Sequence, residues 1–186
     1  QDGKFFLTEN FLMAYWGDCD QDNVRTSRIP LSLIGLNFGS GTQVEGFYNT
    51  SNKHIAVVGT TEAGIGIASM DLGSLDSDPL YKNTSNGLLA NQVISLMPAT
   101  DTNGTTQSFL IGSANGIQSM NATTYSLNTV TGFPENVRKA KPGAMTQLSD
   151  NSVAIGTLAG RVIHYNNGLY STLTPFDGTV RCGTMT

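Results

Sequence analysis

Apolar residues along this chain fall into short, nearly continuous runs such as "HIAVVG" (His54–Gly59), "SFLIG" (Ser108–Gly112) and "SVAIG" (Ser152–Gly156). No stretch keeps the three-and-four spacing of an amphipathic helix; β-rich runs broken by Gly, Asn and Asp predict strands and tight turns throughout. Four segments share one design: a polar turn, then an apolar strand ending on glycine. They are "LTENFLMAYWGD" (Leu7–Asp18), "NTSNKHIAVVGTTEAG" (Asn49–Gly64), "TNGTTQSFLIGSANG" (Thr102–Gly116) and "LSDNSVAIGTLAG" (Leu148–Gly160). In the last three a turn glycine follows (Gly64, Gly116, Gly160), then a further strand: "IGIASMD", "IQSMNAT" and "RVIHYNN".

The strand-ending glycines Gly17, Gly59, Gly112 and Gly156 stand 42, 53 and 44 residues apart. A period in the forties, built as a four-stranded antiparallel unit, is the signature of a β-propeller blade. Inner strands buried on both faces between blades want continuous apolar runs, and these strands have them. Small residues such as Ala56 and Ala154 let strands crowd toward an axis. The distance from Gly156 to the C-terminus and on to Gly17 is again a blade length, 47 residues. The tail "GTVRCGTMT" (Gly178–Thr186) resembles the start of a blade's first strand, as in "ENVRKAKPGAMTQLSDN". The expected fold is all-β: a propeller of four blades of four antiparallel strands, closed by the C-terminal strand. Residues 179–186 plus 1–30, 31–88, 89–132 and 133–178 would form the blades of a single domain. The alternatives are a fragment of a larger propeller and a β-sandwich with comparable hairpins.

One blade also resembles a known repeat. In "NQVISLMPATDTNGTTQSFLIGSANGI" (Asn91–Ile117), Asn91, Val93, Leu96, Asp101, Gly104, Gly112, Gly116 and Ile117 fill the places of the two-component-regulator type of propeller repeat. Leu110 stands where that pattern carries Trp. The resemblance implies the propeller fold and carries no function, because propellers host unrelated activities.

Composition narrows the setting. Only 13% of the residues are charged, against about 25% in an ordinary globular chain. Ser, Thr, Asn and Gly fill the gap. Such a surface suits an extracellular protein or one on a particle or cell surface. Net charge is −4 and no basic cluster exceeds "VRKAK" (Val137–Lys141), so the footprint of a nucleic-acid binder is missing. No apolar run approaches a membrane span. No signal peptide is visible, and Gln1 fits a mature or trimmed chain.

The candidate chemistry is sparse. Cys19 and Cys182 are expected to form a disulfide if the tail pairs beside the strand preceding Cys19; inert buried thiols are the alternative. Asp18, Asp20 and Asp22 occupy positions 1, 3 and 5 of an EF-hand-like loop, but position 12 is Ile29 where a bidentate Glu is required. A turn is therefore the better reading there, Ca²⁺ the lesser one, and no other cofactor is expected. His54 and His164 belong to different blades and show no metal-ligand spacing. "GIGIAS" (Gly64–Ser69) lacks the third glycine and helix of a dinucleotide site and reads as a hairpin. Asn49, Asn83, Asn103 and Asn121 head Asn-x-Ser/Thr sequons in predicted turns, where a glycan would leave the core undisturbed.

With no catalytic constellation in view, the primary expectation is a non-enzymatic extracellular binding or adhesion module, with its ligand at the blade loops. A glycan or a protein is the expected partner. Tyr15, Trp16, Tyr81, Tyr125, Tyr165 and Tyr170 are candidates for stacking on sugar rings. The second reading is a structural subunit of a surface layer or filament, in which the tail of one copy completes the first blade of the next. The third is a hydrolase with a site assembled across blades; Asp101, Asp150, Glu62 and His164 lie near turns, with no geometry implied by the sequence.

Overall fold

The computed structural model describes residues 3–16, 25–37, 39–48, 53–71, 74–75, 78–101, 103–113, 115–130, 142–157, 162–166 and 169–173. These form four antiparallel sheets in chain order. The first contains β1 (Gly3–Leu7), β2 (Phe11–Trp16) and β3 (Arg25–Pro30), side by side in that order. The second contains β4 (Gly41–Tyr48), β5 (His54–Thr60) and β6 (Ile65–Asp71). Two short strands, β7 (Ser74–Leu75) and β8 (Leu80–Lys82), share the outer edge of β6. The third runs β9 (Val93–Thr100), β10 (Thr106–Ser113), β11 (Gly116–Asn121) and β12 (Leu127–Thr129). The fourth runs β13 (Pro142–Gln147), β14 (Val153–Thr157), β15 (Val162–Asn166) and β16 (Leu169–Leu173). Two 3-10 turns, Leu31–Ile34 and Thr84–Asn86, lie in the connections between sheets.

Three apolar clusters bind consecutive sheets face to face. Leu12, Ala14 and Trp16 of β2 meet Ala56, Val58 and Met70 of the second sheet. Ile55, Val57 and Ile67 turn the other way, onto Val93, Phe109 and Met120 of the third. Met97 and Leu110 then meet Val153, Ile155 and Ile163 of the fourth. Strand alternation explains how β5 serves two cores at once: successive side chains point to opposite faces. Its burial is continuous from Ile55 to Thr60, as the apolar run predicted. Each fully buried side chain of this size contributes about 1.5–3 kcal/mol. The strand-ending glycine has a packing role: a Cβ on Gly59 would lie 2.7 Å from Val93 Cγ1, across the sheet–sheet seam. Gly64 turns the chain at φ +101°, where a Cβ would strike the Lys82 carbonyl.

Polar ties accompany these seams. Gln43 on β4 donates through Nε2 to the Leu96 carbonyl (2.8 Å) and accepts from the Leu96 N–H through Oε1 (2.9 Å). Gln147 on β13 does the same to Thr100, with distances of 2.9 Å and 3.1 Å. In both cases a side-chain amide stands in for a peptide group and hydrogen-bonds the neighbouring sheet's first strand. Gln118, 2% exposed, bridges the Gly87 carbonyl and the Leu89 N–H in the same manner within the third sheet's entry loop.

Strand direction corrects one expectation. Gln147 at the end of β13 meets Thr100 at the end of β9, so these first strands run parallel. Leu7 faces Gly41 and Phe5 faces Gly46, so β1 runs antiparallel to β4. β1 therefore runs in the sense of the second strands β5, β10 and β14, and β2 corresponds to third strands. The shared design of "FLMAYWG" and "HIAVVG" predicts the same place in the sheet for both, whereas β2 runs in the opposite sense to β5. The burial of β2 alternates strictly, residue by residue, unlike the continuous burial of β5, and that one-sided pattern is the physical mark of the difference. β1 and β3 occupy both edges of β2 over Phe11–Trp16. Both edges of β2 are thus filled over those residues. Residues 174–186, with Cys182, and residues 17–24, with Cys19, Asp18, Asp20 and Asp22, lie outside the described residues, as does Asn49.

Candidate functional site

At the end of the molecule where β1 turns into β2 and β3 leads to β4, two loops wall a pocket of about 440 Å³. The turn Thr8–Asn10 forms one wall. Thr8 closes it, its Oγ1 accepting from the Phe11 N–H (3.1 Å) while the Thr8 N–H donates to the Phe11 carbonyl (2.9 Å). The 3-10 turn Leu31–Ile34 and the following loop form the other, ended by Gly35 at φ +81°. The walls are tied together: the Leu31 N–H donates to the Asn10 carbonyl (3.0 Å), and the Gly41 N–H donates to the Glu9 carbonyl (3.4 Å). Ser40 is held from the second sheet, its N–H donating to Thr61 Oγ1 (3.0 Å).

Half-buried Phe11 and Pro30, above the buried Leu31 and Leu36, give the pocket an apolar patch within a lining that is mostly polar. Around it stand Glu9, Asn10, Ser32 and Asn37, all exposed. Among the described residues no side chain is hydrogen-bonded to these four. The guanidinium of Arg28 lies over the Phe11 ring, 3.6 Å from its centroid. One positive and one negative side chain thus flank the apolar patch. The arrangement can hold a small neutral ligand that has an apolar face and several hydroxyl or amide groups.

The aromatic candidates serve mainly the interior. Trp16, expected on the surface as a stacking ring, is 1% exposed. It meets the edges of Phe5 and His54 at centroid distances of 6.1 Å and 5.9 Å, in a three-ring cluster between the first two sheets. Its burial follows from its place at the end of the one-sided strand β2. Tyr81 packs against the first core and donates its hydroxyl to the Ala63 carbonyl. Tyr125 packs against the second core, where burial pushes its phenol up from the usual value, and Tyr165 packs against the third. Tyr15 is half-buried on the face of β2 opposite the core. The Tyr170 side chain lies outside the described residues. Phe11, the aromatic residue at the pocket, was missed: one apolar residue after a turn reads as the start of a strand. No sequence signal joins residues 9–11 to residues 30–40.

Two candidates for hydrolytic chemistry do come together. Asp150 Oδ1 accepts from the Ser152 N–H (3.0 Å) and from the Ser152 hydroxyl, while His164 Nε2 sits 2.8 Å from Ser152 Oγ. The single hydroxyl proton is directed to the carboxylate, so the imidazole N–H donates to the serine oxygen. A nucleophilic serine needs the reverse, with its proton on the histidine and its oxygen reachable. Ser152 is 1% exposed. The array closes the β13–β14 turn, and the Ser152 hydroxyl and N–H, aided by His164, hold the Asp150 carboxyl below its ordinary value. Asp101 plays the matching part in the β9–β10 turn: it accepts from the N–H groups of Thr105 and Asn103 and from Gln107, which likewise lower its carboxyl. Glu62 is exposed and joins neither array.

Among the described residues no three His, Cys, Asp or Glu side chains converge as a metal site, and no helix is long and apolar enough to cross a membrane. Asn83, Asn103 and Asn121 all stand in turns or at a strand end. Asn83 Oδ1 accepts from the Ser85 N–H and Asn121 Oδ1 from the Thr123 and Thr124 N–H groups.

No family model and no curated protein matches the sequence. Solved structures match over nearly the whole chain. The extracellular domain of a hybrid two-component system, BT4673 from B. thetaiotaomicron, aligns with a TM-score of 0.61 at 17% identity over 95% of this chain and 21% of its own. That of a second such system, BT3049 from the same organism, aligns with a TM-score of 0.56 at 16% identity, over 96% and 24% of the two chains. At these identities the likeness is one of fold. The chain spans about a quarter or less of either neighbour's length.

Proposed function

We propose that this chain is a non-enzymatic, extracellular ligand-binding module built as a β-propeller of four blades, and that its pocket takes a carbohydrate. The observation that carries the ligand reading is the pocket between the first two sheets. Its apolar patch at Phe11 and Pro30 suits the C–H face of a sugar ring, and its polar rim, Glu9, Asn10, Ser32 and Asn37, free of side-chain hydrogen bonds among the described residues, suits the hydroxyls around that face. The pocket's tied walls need little ordering on binding, which spares affinity. Extracellular placement is supported by the low charge and by the extracellular neighbours of like fold. The propeller is supported by four antiparallel sheets stacked in order, with the parallel strands β4, β9 and β13 lying next to one another. The buried, acid-facing Ser152 speaks against the hydrolase reading.

Glycan-array screening followed by calorimetry tests this. Phe11→Ala and Asn37→Ala are expected to weaken the best ligand at least about tenfold each, the loss of one good contact of roughly 1.4 kcal/mol, with circular dichroism unchanged. An array without a binder at high protein concentration would end the carbohydrate reading. Undiminished binding by both variants would move the site elsewhere.

A further inference from the structure

The outer face of the first sheet is chemically unlike the faces that meet another sheet. Residues directly opposite one another on paired strands share a face. Lys4 stands opposite Tyr15, Phe6 opposite Met13, and Met13 opposite Arg28. With Phe11 they lie on the side away from the buried Leu12, Ala14 and Trp16. Lys4, Phe6 and Arg28 are exposed, Phe6 by 55%, while Phe11, Met13 and Tyr15 are half-buried. The chain carries a net charge of −4, yet β1, β2 and β3 contain no Asp or Glu. Apart from Lys82 in the short β8, the described strands hold Lys or Arg only here, at Lys4, Arg25 and Arg28. Positive charge is thus segregated onto one sheet of an acidic protein.

We propose that this face binds the acidic part of a linear glycan, a run of uronate rings leading out of the pocket. The inference rests on the carbohydrate reading of the pocket and adds to it a class of glycan and a second surface. Charge complementarity selects the partner. Among the described residues no carboxylate pairs with Lys4 or Arg28, and Arg28 lies instead over the Phe11 ring. A further apolar sheet on this face would bury both cations unpaired, a cost that an anionic ligand removes. The guanidinium fork fits a carboxylate with two parallel hydrogen bonds. Spacing selects the density of charge. Lys4 and Arg28 stand two strands apart and two residues apart along the strands, which puts their Cα atoms about 12 Å from each other. Such sparse cations match single carboxylates along a sugar chain better than the crowded charge of a sulfated one. Met13 lies between them and Phe6 beside it, as apolar ground for the C–H faces of the rings. The face also continues into the pocket, because Phe11 belongs to both. Glu9 at the pocket rim repels a carboxylate, so the end sugar there is neutral and the acidic rings fall on the sheet.

Calorimetry with oligomers of galacturonate, glucuronate and mannuronate, each beside its methyl ester, tests the proposal, because the ester keeps the ring and removes the charge. At low salt at least one free acid is expected to bind about tenfold more tightly than its ester. Lys4→Gln and Arg28→Gln should each weaken that acid about three- to fivefold, the worth of one exposed ion pair. Lys4 lies away from the pocket, so Lys4→Gln should leave the ester unchanged, whereas Phe6→Ser should weaken acid and ester alike. The preference for the acid should vanish near about 1 M salt, where the screening length falls to about 3 Å. Equal binding of acid and ester, or acid binding untouched by both charge variants, would overturn the proposal. A neutral glycan that needs Phe11 and Asn37, with no uronate bound, would end it while the pocket reading stands. Uronate binding that falls with Lys4→Gln but not with Asn37→Ala would uphold the face and end the pocket reading.

Discussion

Replacing Gln43 with Met probes the seam between the second and third sheets where it is most specific. The substitution keeps length and bulk but removes the amide, which hydrogen-bonds both backbone groups of Leu96 and also donates to Glu45 Oε1 (2.7 Å). Leu96 is 2% exposed, so its N–H and C=O lose their side-chain partner in a place water barely reaches. Net loss of two hydrogen bonds with buried groups left unpaired costs about 2–4 kcal/mol. For a chain of this size that lowers a urea midpoint by roughly 1–2 M. A pH signature accompanies it. Burial holds the Glu45 carboxyl above its ordinary value of 4.5, and the Gln43 bond partly offsets this. A carboxyl raised in the folded state favours folding fully below pH 4.5, and that contribution is lost as pH rises through the folded value. Removing Gln43 raises the folded value further, so the penalty is larger at pH 7 than at pH 4. The excess is about 1 kcal/mol, a charged hydrogen bond discounted for the part of Glu45 open to solvent. Urea unfolding followed by the fluorescence of the single tryptophan, Trp16, measures both quantities, and Glu45→Gln should abolish the pH difference. A Gln43→Met protein within 0.5 kcal/mol of wild type, about the spread of ordinary surface changes, or one with equal penalties at the two pH values, refutes the reasoning.

Other consequences are equally open to measurement. Gly59→Ala forces a Cβ against Val93 across the same seam and should destabilise by about 1–3 kcal/mol in denaturant titration, whereas a neutral result would mean the sheets separate freely there. Phe109→Ala should cost about 3–5 kcal/mol, since the ring is fully buried and lies 5.0 Å from Phe47 of the second sheet; a loss below about 1.5 kcal/mol would contradict its place in that core. The Asp101 and Asp150 carboxyls are held below their ordinary value of 3.8. Their depressed folded values mean each turn's contribution is complete above that value and lost as pH falls through the folded one. An NMR titration that finds either carboxyl protonating at or above pH 3.8 would refute the hydrogen-bond assignments.

What the sequence made legible was whatever two-sided burial imposes on composition. β5 and β10 announce themselves because strands pressed between sheets on both faces cannot carry alternating polar residues. The turn glycines Gly64 and Gly116 were equally plain, because positive φ favours glycine. "FLMAYWG" misled because an apolar run ending on glycine suits an end-sheet third strand as well as an inner second strand. Only the fine alternation of Leu12, Ala14 and Trp16 separates the two. Trp16 looked like a surface ring because it borders a polar turn, although a large ring at a strand's end can fold back over the core. The pocket was illegible for a different reason. Its walls lie some twenty residues or more apart, and they meet through backbone hydrogen bonds such as Leu31 N–H to Asn10, which no side chain records. The glutamine ties were hidden likewise, since a Gln on a strand reads as solvent-facing until its partner in another sheet is known.

Those ties also bear on how such a chain changes over time. Apolar faces are tolerant: one greasy sheet slides on another with small loss. An amide that grips one particular peptide unit of the next sheet is not, because a shift of a single residue presents it with the wrong pair of groups. Gln43 and Gln147 therefore act as indexing pins at two of the three seams. A sheet gained or lost by duplication or deletion has to arrive with its pin and its peptide socket together. Because both sockets, Leu96 and Thr100, lie on β9, the third sheet is gripped from either side, and a break next to it would part a pin from its socket.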